Sequence, residues 1–360
     1  MSDLSGLKNW SKKQGYILTG GGVLEGLMLP GRDYEERDLP HYHLRQKSSE
    51  AVFAQWIRES RRHFGIVGAW SRPLFSGGWA ESTDQDTVAF NLQTPSVFVD
   101  LRFPVDRPNS LSKLSSLEEY SLLELRKLGR QHCFAGYSLP ETGHPADSPV
   151  FTRHHVIDWN FHPAFPRSRP NRWRVEVKED KSCFKELSTA LDPHGVPVYF
   201  ERWARRDHDS MGEKYFAARR KCRIGSSESS DIVDAILVVV GDHFAVAIDR
   251  PDIEFANGEG RGGGPAWVDF LAEGGENCRK RLEAYLSLCG IYGRLNINTD
   301  KPWVVNKSTH PWLEGSPFLR PGSAKFSKTD EGSATVLHLD GFEWTVLENS
   351  FSESELGSIF

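Results

Sequence analysis

Asp100 and Arg102 stand two residues apart in Ser96-Val-Phe-Val-Asp-Leu-Arg-Phe103, an alternating run that reads as a β-strand. On a strand the two side chains share one face, roughly 7 Å apart along the chain. If that face lines a barrel, the guanidinium can grip a carboxylate or carbonyl. The carboxylate can then orient a ligand or move a proton. On an outer face the same pair is a solvated ion pair of little energetic worth. The opposite face, Val97, Val99, Leu101 and Phe103, is wholly apolar, which favours the solvated arrangement.

Other groupings carry less chemistry. His154, Asp158 and His162 share strand parity but span about 26 Å when extended, too far to ligate one ion unless the chain folds back. His41 and His43 are closer but need a third ligand from elsewhere, so no metal site is expected. The stretch Asn257-Gly-Glu-Gly-Arg-Gly-Gly-Gly-Pro265 lacks the terminal Gly-Lys-Ser/Thr of a P-loop and the strand-to-helix setting of a dinucleotide fingerprint. A flexible connection is expected there. Neither a Gly-x-Ser-x-Gly elbow nor a His-Glu-x-x-His motif occurs.

Basic clusters occur at Arg167, Arg169, Arg172 and Arg174, at Arg202, Arg205 and Arg206, and at Arg219, Arg220 and Lys221. They lie near Trp159, Phe161, Trp173 and Trp203, an interleaving that single-stranded nucleic acids can use. The net charge of −5 argues against such a partner. Five cysteines without C-x-x-C spacing give no zinc or redox motif, and no cofactor is expected. No apolar run approaches the ~20 residues of a membrane helix, and the first residues lack a secretory pattern. A cytoplasmic setting without membrane partners is the expectation.

The elements that must position these residues are mostly strands. Two tight hairpin signals stand out: Gly241-Asp242 between Ala235–Val240 and His243–Ile248, and Asp340-Gly341 between Thr335–Leu339 and Phe342–Val346. Further strands are expected at 87–103, 150–159, 173–177 and 196–206. Tyr199, Glu201 and Trp203 share one face of the last. Ser116–Gln131 reads as a helix with a capping box from Ser116 to Glu119, and 276–288 as a second. In the 235–248 hairpin one face is bulky, and the other (Ile236, Val238, Val240, His243, Ala245, Ala247) is apolar but partly small. That small face either accepts a packed helix or borders a cavity.

Too few helices alternate with strands for a parallel sheet. The fold class expected is mainly β, two antiparallel barrels in tandem with two or three short helices. The divisions are a polar extension 1–50, a first barrel 51–165 with the helix 116–131 inserted, a second barrel 170–348, and a Ser/Glu-rich tail 349–360. The linker-like stretch near Pro163–Asn171 marks the boundary. The tail is expected to fray. With Ser350, Ser352 and Ser354 beside Glu348, Glu353 and Glu355, it reads as a phosphorylation segment or a solubilising tail.

Leu92–Pro108, Gln131–Gly136, His154–Trp159 and Ile236–Arg250 resemble a family of uncharacterised bacterial and fungal proteins. The order Tyr199-Phe-Glu-Arg-Trp203, the 235–248 hairpin and Gly-Phe-Glu-Trp344 are similar to a fungal family with two lipocalin-like barrels and a casein-type kinase as associate. The resemblance implies calycin-like barrels, a cytosolic setting and a kinase as a protein partner. It implies no established reaction. It also brings Gln93, Arg107, Glu201 and Trp203 to the site of Asp100 and Arg102.

Three functions are consistent with these residues. The first is binding of a small apolar or amphipathic ligand in a barrel, with Gln93, Asp100, Arg102, Arg107 and Trp203 as contacts. The second is an isomerase or lyase with Asp100 or Glu201 as acid/base and Arg102 as electrostatic clamp. The third is a non-catalytic interaction adaptor.

Overall fold

Turn chemistry sets the two hairpins. Asp340 and Gly341 both take left-handed backbone, φ 50° and 79°, the pair of positive values that a type I′ turn uses to match strand twist. At Gly241-Asp242 only the glycine is left-handed, φ 56°. The ladders close as expected, Val240 opposite His243 and Leu339 opposite Phe342.

The computed structural model describes residues 65–77, 87–107, 114–141, 144, 148–160, 171–191, 193–206, 214–220, 233–250, 278–296, 302–319, 322–328 and 335–360. The expectations for the extension 1–50, for His41, His43 and His162, for Arg167, Arg169 and Lys221, and for the loop 257–265 lie outside them.

Eight antiparallel strands close a barrel: β1 (Gly68–Gly77), β2 (Thr87–Gln93), β3 (Val97–Pro104), β4 (His132–Pro140), β5 (Val150–Asp158), β6 (Asn171–Val177), β7 (Cys183–Ser188) and β8 (Tyr199–Arg205). Each pairs with the next, and β8 returns to β1. The sequence reading places 171–205 in a second barrel; ladder pairing puts those strands in this one. A proline-rich connection between two strands of one sheet has the same composition as a linker between domains, so composition misplaces the boundary.

The remaining strands are β9 (Tyr215–Arg220), β10 (Ala235–Val240), β11 (His243–Ile248), β12 (Cys289–Leu295), β13 (Trp303–Ser308), β14 (Ala324–Lys328), β15 (Thr335–Leu339) and β16 (Phe342–Asn349). They form a second antiparallel sheet in the order β13-β12-β11-β10-β9-β16-β15-β14. Among the described residues β13 and β14 are its edges. The fold is mainly β and antiparallel, as expected, with a closed barrel and, among the described residues, a second eight-stranded sheet.

Among the described residues three α-helices accompany the strands: α1 (Leu122–Leu128), α2 (Cys278–Leu286) and α3 (Glu353–Ile359). The helix expected from Ser116 is split. A 3-10 turn spans Leu117–Glu119, and Tyr120 then takes extended backbone, φ −78° and ψ 142°, which breaks the helix. The reciprocal capping box therefore forms one turn later, between Ser121 and Glu124. The tail is also ordered rather than frayed. Ser352 and Glu355 cap α3, whose Leu356 and Ile359 are buried. Trp303 Nε1 donates to the Ile359 carbonyl at 2.8 Å.

The two faces of the β10–β11 hairpin serve two cores. Leu237, Val239, Phe244 and Val246 pack with Trp303, Leu337 and Trp344. Ile236, Val238, Val240, Ala245 and Ala247 pack with Val97, Val99, Leu101, Cys133 and Ala135 on the outside of the barrel. The small face thus borders neither a cavity nor a helix alone; the barrel wall covers it. Small residues let the two layers approach. A Cβ at Gly290 would lie 2.5 Å from Leu101 Cδ2 and 2.8 Å from Cys133 Sγ. Overpacking of this kind costs about 1–3 kcal/mol. Gly290→Ala is therefore expected to lower the urea unfolding midpoint at an unchanged m-value. A wild-type midpoint would mean that the seam accommodates a methyl group and is not close-packed.

Polar groups fasten the same seam. The Thr94 and Ser96 hydroxyls donate to Glu348, and Phe90 stacks on Tyr292 with ring centroids 4.0 Å apart.

Candidate functional site

The seam decides which way β3 points. Because Val97, Val99, Leu101 and Phe103 belong to the core shared with the second sheet, the alternate residues Phe98, Asp100 and Arg102 face into the barrel. Directly opposed residues carry that interior face from strand to strand. Asn91 pairs with Asp100, Gln93 with Phe98, Ser138 with Arg153, Glu186 with Glu201, Phe184 with Trp203, and Glu201 with Phe75. Trp70, Phe75, Phe151, Trp173, Phe184, Tyr199 and Trp203 form one buried cluster there. The apolar face of β3 is thus the barrel's outside, and the solvated arrangement of Asp100 and Arg102 does not occur: Asp100 is 0% exposed.

Charged groups are threaded through these aromatic rings. Asp100 accepts from Arg102 Nε at 2.9 Å, from Arg102 Nη2 at 3.2 Å and from Arg153 Nη1 at 3.0 Å. Burial alone would raise its pKa. The guanidiniums of Arg102, Arg153 and Arg72 outweigh that and hold the carboxyl well below the usual carboxylate range. Arg72 Nη1 donates to Glu201 Oε1 at 2.6 Å, and its guanidinium lies 4.9 Å from the Phe75 ring centroid and 5.6 Å from that of Trp203. Arg153 lies 4.3 Å from the centroid of Phe98 and 5.3 Å from that of Trp173.

Glu186 behaves in the opposite way. Its Oε1 accepts the Tyr199 hydroxyl at 3.0 Å. Burial first, then the neighbouring Glu201 carboxyl, push its pKa up to about 8, against the pull of Arg153. It is the carboxyl that keeps a proton at neutral pH, a property suited to proton transfer.

Several buried atoms on this interior face have no hydrogen-bond partner among the described residues. They are Asn91 Oδ1, Gln93 Oε1, Ser138 Oγ, Arg153 Nε and Nη2, Glu186 Oε2, Glu201 Oε2, and the indole Nε1 atoms of Trp173 and Trp203. Each buried polar group left unpaired costs about 1–3 kcal/mol. A barrel needed only for packing would be filled more stably by apolar side chains.

Of the residues singled out from the sequence, Gln93, Asp100, Arg102, Glu201 and Trp203 come together inside the barrel. Arg107 does not. It donates to Gln131 Oε1 at 2.7 Å and to the Ser308 carbonyl at 2.6 Å, and pairs with Glu314, fastening β3 to the second sheet. Sequence alone does not mark Arg72, Arg153 or Glu186. Their signal was alternation, as in Phe184, Glu186 and Ser188 of β7, but alternation does not say which face is inward.

The remaining candidates resolve into structural roles. His155 Nδ1 lies 3.3 Å from Asp158 Oδ2, and no cluster of His, Cys, Asp or Glu among the described residues could hold a metal ion. Arg172 grips Glu141 with two bonds of 2.6 Å, and Arg219 pairs with Asp234 at 3.2 Å. No helix among the described residues is long and apolar enough to cross a membrane.

Fold and site together define a mainly-β protein whose closed antiparallel barrel carries a charged, aromatic interior. No family model matches the chain, and no curated protein matches it. Among solved structures it is similar to the uncharacterized protein YLR301w from Saccharomyces cerevisiae. The match has 14% identity and a TM-score of 0.40, and covers 79% of this chain and 98% of that one.

Proposed function

We propose that the closed barrel is a calycin-like binding site for one small amphipathic ligand, working in the cytoplasm. The observation that carries this reading is the set of buried polar atoms without protein partners, interleaved with Trp173, Phe184 and Trp203. Barrels of about eight strands can hold one small ligand, and such a ligand would supply the missing hydrogen bonds. Gln93, Asp100, Arg102, Arg153, Glu186, Glu201 and Trp203 are its polar and aromatic surroundings. Native mass spectrometry of protein purified from its own cells, beside a denatured control, tests it. An added small-molecule mass that leaves on denaturation is the expected result. A chain at its bare sequence mass, under conditions gentle enough to keep weak complexes, counts against it.

A second reading is favoured by Glu186. A carboxyl raised to about 8 inside an aromatic barrel is poised for acid–base work on a bound ligand, as in an isomerase or lyase. Asp100 is poorly suited to that task because two arginines share its charge. Loss of turnover with retained ligand affinity in Glu186→Gln would support catalysis over binding alone. An interaction adaptor, a kinase among its partners, has less to support it, since α3 of the tail is capped and buries Leu356 and Ile359.

A further inference from the structure

Building on the small-ligand reading of the barrel, we infer that the ligand is an organic acid with an apolar body, its carboxylate held side-on by the Nε–Nη2 edge of Arg153. Arg153 is 4% exposed. Its Nη1 donates to Asp100 at 3.0 Å, while Nε and Nη2 are buried and have no hydrogen-bond partner among the described residues. Those two nitrogens present parallel N–H groups, the fork that matches a planar carboxylate. The fold shows this match beside it: the same edge of Arg102 is filled by Asp100, at 2.9 and 3.2 Å. At Arg153 the same edge has no such carboxylate among the described residues.

Its orientation is set. Asp100 holds one end of the guanidinium, and the rings of Phe98 and Trp173 lie 4.3 and 5.3 Å from its centre. The indole N–H groups of Trp173 and Trp203 are further donors without protein partners.

Charge points the same way. Arg72 is paired with Glu201, and Arg102 and Arg153 share Asp100. Burial and the neighbouring Glu201 carboxyl keep Glu186 protonated up to about pH 8. The group therefore holds one guanidinium more than it holds anions. A ligand amine would add to that excess, a neutral alcohol would leave it, and a carboxylate removes it. Phe98, Trp173, Phe184 and Trp203 supply an apolar surround, so the acid must carry an apolar or aromatic body to reach Arg153.

The test uses two isosteric sets on the full chain: 1-naphthoate, 1-naphthamide and 1-naphthylmethylamine, and decanoate, decanol and decylamine. Binding is read by tryptophan fluorescence and calorimetry. The acid of at least one set is expected to bind about tenfold or more tighter than its neutral and cationic partners. Arg153→Lys, which keeps the charge but loses the fork, is expected to remove most of that advantage. Arg153→Met is expected to abolish it.

Neutral compounds that bind as well as the acids, or an acid preference that survives in Arg153→Met, would overturn the carboxylate assignment and leave the ligand-binding reading standing. Failure of every compound to bind, together with a bare native mass, would overturn both.

Discussion

Glu186→Gln is expected to stabilise the protein above about pH 8 and to leave it nearly unchanged below about pH 4.5, the folded and ordinary values of this carboxyl. Between those values the folded chain keeps the proton and the unfolded chain has released it. Unfolding then releases a proton, so wild-type stability falls as pH rises through the window. Above about pH 8 the folded carboxyl ionises too, and the full penalty of a buried charge beside Glu201 is present. A shift of this size corresponds to a difference on the order of 3–5 kcal/mol. Glutamine keeps an oxygen to accept from Tyr199 and never ionises, so its curve lacks the fall. Urea midpoints of both proteins from pH 4 to pH 9.5 make the comparison. Parallel curves would show that Glu186 is not buried beside a second carboxyl as described. They would also remove the ground for acid–base chemistry at this residue.

What the sequence reveals here is pattern, and what it conceals is side. The Asp340-Gly341 and Gly241-Asp242 hairpins are legible because two residues between β-prone runs leave few alternatives. The alternation of β3 is legible for the same reason: period two is local. Whether Val97, Val99 and Leu101 line a barrel or cover its outside depends on the second sheet, whose strand β12 brings Gly290 against Leu101 from nearly two hundred residues away. Ala245 and Ala247 on the small face of the 235–248 hairpin are the trace of that seam, and in sequence they suggest helix packing or a cavity because a wall of the same chain is not a local option. Burial of the apolar face turned Asp100 inward, against the simpler expectation. Arg107 shows the converse: the resemblance brings it to the site, while its place just beyond β3 carries it across to Glu314 and Ser308. Arg153 and Glu186 went unmarked because an arginine or glutamate on a strand is ordinarily a solvated outer residue. Only closure of the barrel makes these two interior.

Asp100→Asn is expected to be the most damaging single change in the barrel, lowering stability at pH 7 by about 3–5 kcal/mol. Asparagine preserves shape but withdraws the anion that Arg102 and Arg153 share at 2.9 and 3.0 Å. Arg153, 4% exposed, is then left without a counterion. The effect has a pH signature. Because the arginines hold the Asp100 carboxyl below its ordinary value of 3.8, the stabilisation it provides is complete above about pH 4. It is lost as pH falls from there towards the folded value, so the gap between wild type and variant should narrow in acid. The double variant Asp100→Asn with Arg153→Met should recover part of the loss, since it removes the stranded charge along with its partner. Urea unfolding of the single and double variants at pH 7 and pH 3 provides all four comparisons. A double variant no more stable than Asp100→Asn alone would show that the cost lies in Arg102 or in packing. Recovery would show that Asp100 is the counterion that keeps the Arg153 cation inside the barrel.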